Sequence, residues 1–275
     1  MSDARPLYSP AVVRELLQHH GLRANKSFGQ NFLIDGNTLR KIVDSAGIRP
    51  EDTALEIGPG LGVLTRALAE RAARVISVEL DSRLLPVLQE TLAAYPNVVI
   101  VQGDGLNYDL TQLPPDSLMV ANLPYNVATP ILVRALESGC LRRLVFLVQR
   151  EVAERLVAGP GEEAYGALSL KVAHFAEARV VGDVGPAAFF PPPAVTSSIV
   201  RLDRKPGVLP DPTTFRLVEI AFAHRRKTLK KNLVMAGFEA GAVTAALAAL
   251  GLDSRVRAED LGLASFRELA AMLLT

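Results

Sequence analysis

The first two thirds of the chain alternate short apolar, β-rich runs with stretches of helical periodicity. This alternation is typical of a parallel sheet wrapped by helices, because parallel strands need crossover connections. The sequence therefore predicts a doubly wound α/β domain. Its predicted parallel strands are Ala54–Ile57, Arg74–Glu79, Val98–Gln102, Leu118–Ala121 and Leu144–Val148, and Ala178–Val184 with Ser197–Leu202 are predicted to complete the sheet as antiparallel strands.

Beyond residue 205 the pattern becomes purely helical. The segment Lys205–Pro212 contains prolines and a glycine that interrupt regular structure, which indicates a linker. The sequence thus predicts two domains, 1–205 and 206–275, of which the second is small and all-helical. Its predicted helices are Thr213–Ala223, Lys227–Ala236, Ala240–Leu250 and a last helix opened by the capping box Ser265-Phe266-Arg267-Glu268.

The amino-acid composition limits the classes of protein to which the chain can belong. With 275 residues and 49% hydrophobic content, the chain has enough apolar material for one substantial core. We expect no membrane contact, because no apolar run approaches the eighteen or so residues of a spanning helix and the N-terminus lacks the apolar core of a secretory signal. One cysteine, Cys140, and four scattered histidines have no metal-ligand spacing, so we expect a cytoplasmic protein without a metal site.

The net charge of +1 does not indicate what kind of partner the protein binds, but the distribution of charge along the chain is informative. The run Arg225–Lys231, RRKTLKK, places five basic residues in seven positions without an acid. Such a run is compatible with a solvated helix face and equally with contact to a nucleic acid.

The tips of the first three predicted strands carry residues suited to a nucleotide-like cofactor. A G-x-G-x-G turn, Gly58–Gly62, joins the first strand to a helix and lets a ligand approach backbone N–H groups. Glu79 ends the second strand, where a carboxylate suits two ribose hydroxyls, and Asp104 follows the third, within reach of an adenine amine. This layout resembles class I S-adenosylmethionine-dependent methyltransferases, with a Rossmann-like sheet, and fits a dinucleotide site less well.

The fourth strand is followed by NLPYN, residues 122–126. An exocyclic amine conjugated to a purine ring is a poor nucleophile, so it needs acceptors that hold its hydrogens and turn its lone pair. Asn122 and a backbone carbonyl near Leu123 or Pro124 are candidate acceptors, and Tyr125 offers an aromatic face on which a flipped base can stack. The pentapeptide is similar to the motif of amino-group methyltransferases acting on adenine, cytosine or glutamine.

Taken together, the motifs resemble one family, the small-subunit (16S) ribosomal RNA adenine dimethyltransferases associated with kasugamycin sensitivity. They occur in order along nearly the whole chain: SFGQNFL at 27–33, EIGPGLGVLT at 56–65, VELD at 78–81, NLPYN at 122–126, QREV at 149–152, RLVAGPGEEAYGALS at 155–169, FFPPPAVTSS at 189–198 and FAHRRKTLKKNL at 222–233.

The resemblance implies dimethylation of two adjacent adenosines at N6 in the 3′-terminal hairpin of 16S rRNA, within an immature small subunit. It implies S-adenosylmethionine contacts from Asn31, Leu33, Gly58, Glu79, Asp104 and Asn122, and RNA contacts from Arg225, Arg226, Lys227, Lys230 and Lys231. It also suggests that Phe189, with Phe190 as the second choice, joins Tyr125 in sandwiching the target adenine, although core packing of both phenylalanines is the interpretation that the residues alone favour. We expect a monomer, as suits an enzyme that docks on a large particle.

The chain departs from the family pattern at three positions, and two alternative functions are compatible with the sequence. Ala194 and Thr196 replace the lysine and aspartate usual in the family, and Gly105 stands where alanine is common. One alternative is the large-subunit adenine methyltransferase of macrolide resistance, although the motif order favours the small-subunit type. The other is a binding factor that checks small-subunit maturation, for which catalysis is incidental.

Overall fold

Two sheets and eleven helices make up the part of the chain that the structure, a computed structural model, describes: residues 5–24 and 29–274. The strands are β1 (Phe32–Leu33), β2 (Thr53–Ile57), β3 (Arg74–Glu79), β4 (Val98–Gln102), β5 (Ser117–Asn122), β6 (Leu141–Gln149), β7 (Ala176–Val184), β8 (Phe189–Phe190) and β9 (Ser197–Arg204). The helices are α1 (Pro10–His19), α2 (Gly36–Ala46), α3 (Val63–Ala69), α4 (Leu85–Thr91), α5 (Ala128–Glu137), α6 (Arg150–Val157), α7 (Ala167–Phe175), α8 (Pro212–Ala221), α9 (Leu229–Met235), α10 (Ala240–Ala249) and α11 (Leu263–Leu273).

The main sheet has seven strands in the order β4-β3-β2-β5-β6-β9-β7. Strands β2 to β6 are parallel, whereas β9 runs antiparallel to β6, pairing Leu144 with Leu202 and Gln149 with Ser197. The central strand β5 is buried on both faces, because helices cover the sheet on each side, and its residues 118–121 are at most 1% exposed. The predicted α/β class and the predicted strands are confirmed.

The order reverses beside β2, since β3 lies on one side of it and β5 on the other. In open α/β sheets such a switch point leaves a crevice at the carboxyl ends of the strands. The residues that follow β2, β3, β4 and β5 therefore share one edge of the sheet.

The chain divides into two compact units. The sheet unit contains residues up to 153 together with Ala178–Lys205, and the helical unit contains Glu154–Glu177 and the residues from Pro206 onward. The segment 154–177 thus groups with the C-terminal helices and not, as the predicted boundary at 205 had it, with the sheet. Tyr165 and Leu170 pack in the same apolar cluster as Phe215, and the Tyr165 hydroxyl donates to the Leu261 carbonyl at 2.8 Å.

Two helix starts in the helical unit differ from the sequence prediction. Helix α11 begins at Leu263, after Gly262, so Ser265 lies within its first turn and the predicted capping box is wrong. Helix α9 begins at Leu229 because Thr228 is its N-cap, whose hydroxyl accepts from the Lys231 N–H. None of the described helices combines the length and the apolar character that a membrane crossing requires.

Asn232 holds the turn that joins α8 to α9. Its side chain is 3% exposed, and its Nδ2 donates to the carbonyls of Ala221 at 2.6 Å and His224 at 3.2 Å. Replacing Asn232 by alanine should lower the free energy of unfolding by about 1–3 kcal/mol, because both carbonyls lose their donor in a buried setting. Urea denaturation followed by circular dichroism measures this loss.

Two further variants separate the amide donor from general packing. Asn232→Asp keeps the side-chain shape but has no N–H, so it should destabilise at least as much as alanine. Lys231→Ala changes the exposed neighbouring side chain and should stay within about 0.5 kcal/mol of the parent. An Asn232→Asp protein as stable as the parent would show that the two hydrogen bonds contribute nothing measurable.

Candidate active site

A cavity opens at the switch point of the main sheet, with a volume of about 1150 Å³ including its open mouth. It is formed within the sheet unit by the ends of strands β2, β3 and β5, by the residues that follow β4, and by the N-terminal segment from Gly29 to Leu33. Its lining includes every site residue that the sequence predicted in this unit except Phe189: Asn31, Leu33, Gly58, Glu79, Asp104, Asn122, Leu123, Pro124 and Tyr125.

The glycine turn after β2 requires glycine for conformational reasons. Gly58, Gly60 and Gly62 have φ values of 73°, 59° and 86°, in the left-handed region. A Cβ on Gly60 would also lie 3.0 Å from the Phe32 ring. The turn places backbone N–H groups and the start of α3 against the cavity, an arrangement that receives polar ligand groups.

Glu79 ends β3 beside this turn and is 6% exposed. Its Oε2 accepts from the Gly60 N–H at 3.2 Å, and its Oε1 accepts from the Asp81 N–H at 2.8 Å. Burial raises the pKa of this carboxyl, while these backbone donors oppose the shift. The carboxylate is therefore fixed against the glycine turn, with lone pairs left for further donors.

Asp104 follows β4 and shapes the next loop. Its Oδ1 accepts from the Leu106 N–H at 2.9 Å and its Oδ2 from the Asn107 side chain at 3.0 Å. The neighbouring Gly105 has a steric explanation, since a Cβ there would lie 2.3 Å from Ile57 Cγ2. The glycine that departs from the family pattern therefore accommodates the isoleucine at 57.

Asn122, the last residue of β5, faces the cavity and is tied to the N-terminal segment. Its Nδ2 donates to the Asn31 carbonyl at 3.0 Å. No described residue hydrogen-bonds to its Oδ1, which leaves that oxygen as an acceptor. The Pro124 carbonyl already accepts from the Val127 N–H at 3.1 Å, so Leu123 offers the less engaged carbonyl of the two.

Tyr125 is half-buried and anchored at its hydroxyl. The hydroxyl lies 2.6 Å from Ser197 Oγ at the start of β9. Burial raises the pKa of the phenol, so it remains protonated at neutral pH. The anchor fixes the ring plane. Ser197 was not predicted as a site residue, because its role depends on a contact across 72 positions of the chain.

Phe189 does not line the cavity. It is 2% exposed, pairs with Leu33 in the two-stranded β1-β8 sheet and packs in an apolar cluster with Leu39 and Ile42. The ring has no open face, so the structure does not support the predicted sandwich of a base between Phe189 and Tyr125. Core packing, which the residues alone favoured, is what the structure shows.

The predicted basic residues lie in the helical unit, mostly on a turn and not within a helix. Arg225, Arg226 and Lys227 precede α9, whereas Lys230 and Lys231 lie in its first turn. Arg225 is engaged inside the unit, because its Nη2 donates to the Glu163 carbonyl at 2.6 Å. Arg225, Arg226 and Lys231 are all exposed.

Spacing along the chain gave no metal cluster, yet the fold brings three potential ligands together. His19, His20 and Glu90 have ligand atoms within 4.8 Å of one another. His20 Nε2 and Glu90 Oε2 are hydrogen-bonded at 2.8 Å, which accounts for the approach of this pair. The cluster is outside the cavity lining.

Glu56 is a buried acid in the lining of the cavity, and it was not predicted from the sequence as a site residue. It is 1% exposed, and its Oε2 accepts from the hydroxyls of Thr65 at 2.6 Å and Ser77 at 3.1 Å. Burial, with a smaller contribution from the negative charge of Glu79, raises the pKa of Glu56 to about 7.

This pKa predicts a pH dependence of stability. Between about pH 4.5 and 7 the unfolded chain releases the Glu56 proton while the folded protein keeps it, so the contribution of Glu56 to stability falls as pH rises. Above pH 7 the loss should amount to about 3 kcal/mol relative to acidic solution. Urea denaturation of the parent and of Glu56→Gln across pH 4.5–8 measures it as a difference. Parallel curves for the two proteins would contradict the prediction.

The switch-point cavity, the glycine turn and the acids after β3 and β4 define a class I methyltransferase. The family model described as ribosomal RNA adenine dimethylase matches residues 21–274. A protein of Deinococcus radiodurans named ribosomal RNA small subunit methyltransferase A is 50% identical over 98% of this chain and 93% of its own length. Its namesake from Geobacillus thermodenitrificans is 42% identical over 98% of both chains. The chain belongs to the ribosomal RNA adenine dimethylase family.

Two solved structures share the fold over most of the chain. A dimethyladenosine transferase from Plasmodium falciparum is 26% identical, with a TM-score of 0.76 over 86% of this chain and 95% of its own. The 23S rRNA methyltransferase ErmE is 29% identical, with a TM-score of 0.69 over 89% of this chain and 100% of its own. The chain is an enzyme of this methyltransferase class, whose cofactor is S-adenosylmethionine.

Proposed function

We propose that the protein dimethylates N6 of two adjacent adenosines in the 3′-terminal hairpin of 16S rRNA, acting as a monomer on an immature small subunit. The observation that carries the proposal is the free Oδ1 of Asn122 at the cavity, beside the Leu123 carbonyl and the Tyr125 ring. Relatives at 50% and 42% identity that are named for the small subunit support this choice of RNA.

The cavity residues fit the proposed cofactor chemically. Buried Glu79 has carboxylate lone pairs for two ribose hydroxyls, and Asp104 can accept from an adenine amine. Asn31, Leu33, Gly58 and Asn122 complete the proposed contacts. When bound, S-adenosylmethionine supplies an electrophilic methyl group on a sulfonium.

The residues after β5 orient the amine of the target adenosine. Asn122 Oδ1 and the Leu123 carbonyl accept its two hydrogens, which turns the nitrogen lone pair away from them and toward the cofactor side of the cavity. Pro124 restricts the backbone that presents this carbonyl, and Tyr125, held by Ser197, supplies the stacking face. No strong base is needed, because the nitrogen becomes acidic as it acquires positive charge.

The basic residues of the helical unit are proposed to contact RNA phosphates. Arg225, Arg226, Lys227, Lys230 and Lys231 bring positive charge without sequence information, as phosphate contacts do. Arg225, Arg226 and Lys231 are exposed, and Arg226 and Lys231 are the two of these that do not donate to the Glu163 carbonyl. Replacing these basic residues by alanine should weaken binding of the enzyme to the RNA and reduce the salt dependence of that binding.

Transfer of labelled methyl groups from S-adenosylmethionine to unmethylated small subunits, followed by nucleoside analysis, tests the proposal. We expect N6,N6-dimethyladenosine in small-subunit RNA, at two neighbouring positions. Label in large-subunit RNA alone would instead assign 23S rRNA methylation, the activity for which ErmE is named. Binding to small subunits without any transfer would favour a maturation factor.

A further inference from the structure

A second concave surface lies on the sheet unit, outside the proposed catalytic cavity. We call it the α1 groove. Its volume is about 1050 Å³ including its open mouth, and it contains two arginines and no acidic residue. It is lined by Arg14, Leu17, Gln18, Gly21, Leu22, Arg23, Ala24, Phe190 and Pro191.

An aromatic ring and a cation meet in this groove. The Phe190 side chain is half-buried, and the guanidinium carbon of Arg14 lies 5.4 Å from its ring centroid. Arg14 and Arg23 are exposed, and within residues 5–24 and 29–274 neither forms an ion pair with an acid. Such a combination of flat aromatic surface and positive charge is typical of sites for single-stranded nucleic acid.

The α1 groove shares a wall with the catalytic cavity. Phe32 lines the cavity and pairs directly with Phe190 across the two-stranded sheet. Leu17 of the groove and Leu61 of the cavity belong to the same apolar cluster as Phe32. Members of one apolar cluster therefore line both sites, so the groove and the cavity are neighbours on the sheet unit and we expect one strand of RNA to engage both.

We propose that the α1 groove binds a nucleotide of the substrate RNA strand next to the adenosine held in the cavity. The base stacks on Phe190, and Arg14 and Arg23 contact the flanking phosphates. The inference rests on the proposed function, because a substrate with two adjacent target adenosines needs a place for one while the other is methylated. An acidic peptide would pair with the arginines, but its carboxylates would not stack on the flat aromatic face.

Steady-state methyl transfer to unmethylated small subunits tests the groove. Phe190→Leu keeps apolar bulk and removes the flat ring, and Arg14→Gln removes a charge that the proposed catalytic residues do not contact. Phe190→Leu should raise KM for the subunits by about 5- to 100-fold, the range expected for one stacked base, and Arg14→Gln should raise KM in the same direction. For both variants kcat and the affinity for S-adenosylmethionine should stay unchanged. Arg40→Gln, which removes an exposed arginine from α2, is the matched control and should leave KM unchanged.

Cross-linking provides a measurement that does not depend on folding of the variants. Ultraviolet irradiation of the parent enzyme on small subunits, followed by peptide mapping, should place RNA adducts within 14–24 or at 190–191. Absence of adducts there, or unchanged KM in folded Phe190→Leu and Arg14→Gln proteins, would overturn the inference while leaving methyl transfer intact. If the proposed function itself were wrong, the experiment would give a different result, because the parent enzyme would transfer no methyl group to small-subunit RNA.

Discussion

Replacing Asn122 by alanine is expected to lower kcat for methyl transfer by at least about 100-fold, the scale on which misorientation of a reacting group acts. The variant loses the acceptor oxygen that faces the cavity, so the adenosine amine keeps its lone pair conjugated with the ring. It also loses the 3.0 Å hydrogen bond to the Asn31 carbonyl, which should weaken cofactor binding by a smaller factor.

Single-turnover transfer with saturating S-adenosylmethionine and unmethylated small subunits separates these effects. Asn37→Ala, which removes an exposed asparagine from α2, serves as the control and should retain parental rates. An Asn122→Ala protein within tenfold of the parent would remove this side chain from the catalytic machinery. Full rescue of growth by an inactive Asn122→Ala protein, in cells that lack the enzyme, would show that binding to the subunit is the dominant role.

Replacing Glu79 by alanine is expected to weaken binding of S-adenosylmethionine by about 100-fold, because two charge-assisted hydrogen bonds to the ribose are lost. The Gly60 N–H also loses its acceptor, so the glycine turn is less well held. Glu79→Gln keeps one acceptor oxygen and should lose about tenfold.

Isothermal titration calorimetry with S-adenosylmethionine measures both affinities, and thermal melts of the same samples report whether the buried site still folds. Glu51→Ala, at an exposed acidic position before β2, is the control and should bind as the parent does. Unchanged affinity in a folded Glu79→Ala protein would exclude this carboxylate from the cofactor site.

The sheet could be predicted from the sequence because its signals are local. Each parallel strand is a short apolar run between helical patterns, and burial on both faces keeps such runs continuous. Because the strands are parallel, their carboxyl ends share an edge, so the sequence alone predicts that Gly58, Glu79, Asp104 and Asn122 surround one cavity.

The contacts that complete the site could not be predicted in this way. The hydrogen bond between Tyr125 and Ser197 joins residues 72 positions apart, and the clash that favours Gly105 depends on the rotamer of Ile57. Phe189 illustrates the limit of a family resemblance, since the motif gave its position but not the burial that closes its ring off.

The start of α11 shows that tertiary packing can override a local sequence signal for a helix start. Ser265 and Glu268 have the spacing of a capping box, but the helix begins at Leu263, two residues before Ser265. Leu263 packs against the core of the helical unit, so the extra turn buries apolar surface that an end at Ser265 would leave in water.

The grouping of 154–177 with the C-terminal helices means that the polypeptide crosses between its two units three times, near residues 153, 177 and 205. A chain shortened at residue 205 would keep Tyr165 and Leu170 while deleting Phe215 and most of their other apolar neighbours. Such a truncation should aggregate, because it exposes the apolar side chains that the C-terminal helices cover. To exchange the helical unit between related enzymes, two separate stretches of the gene must be exchanged together. Recombination at a single junction would combine segment 154–177 of one enzyme with the C-terminal helices of another.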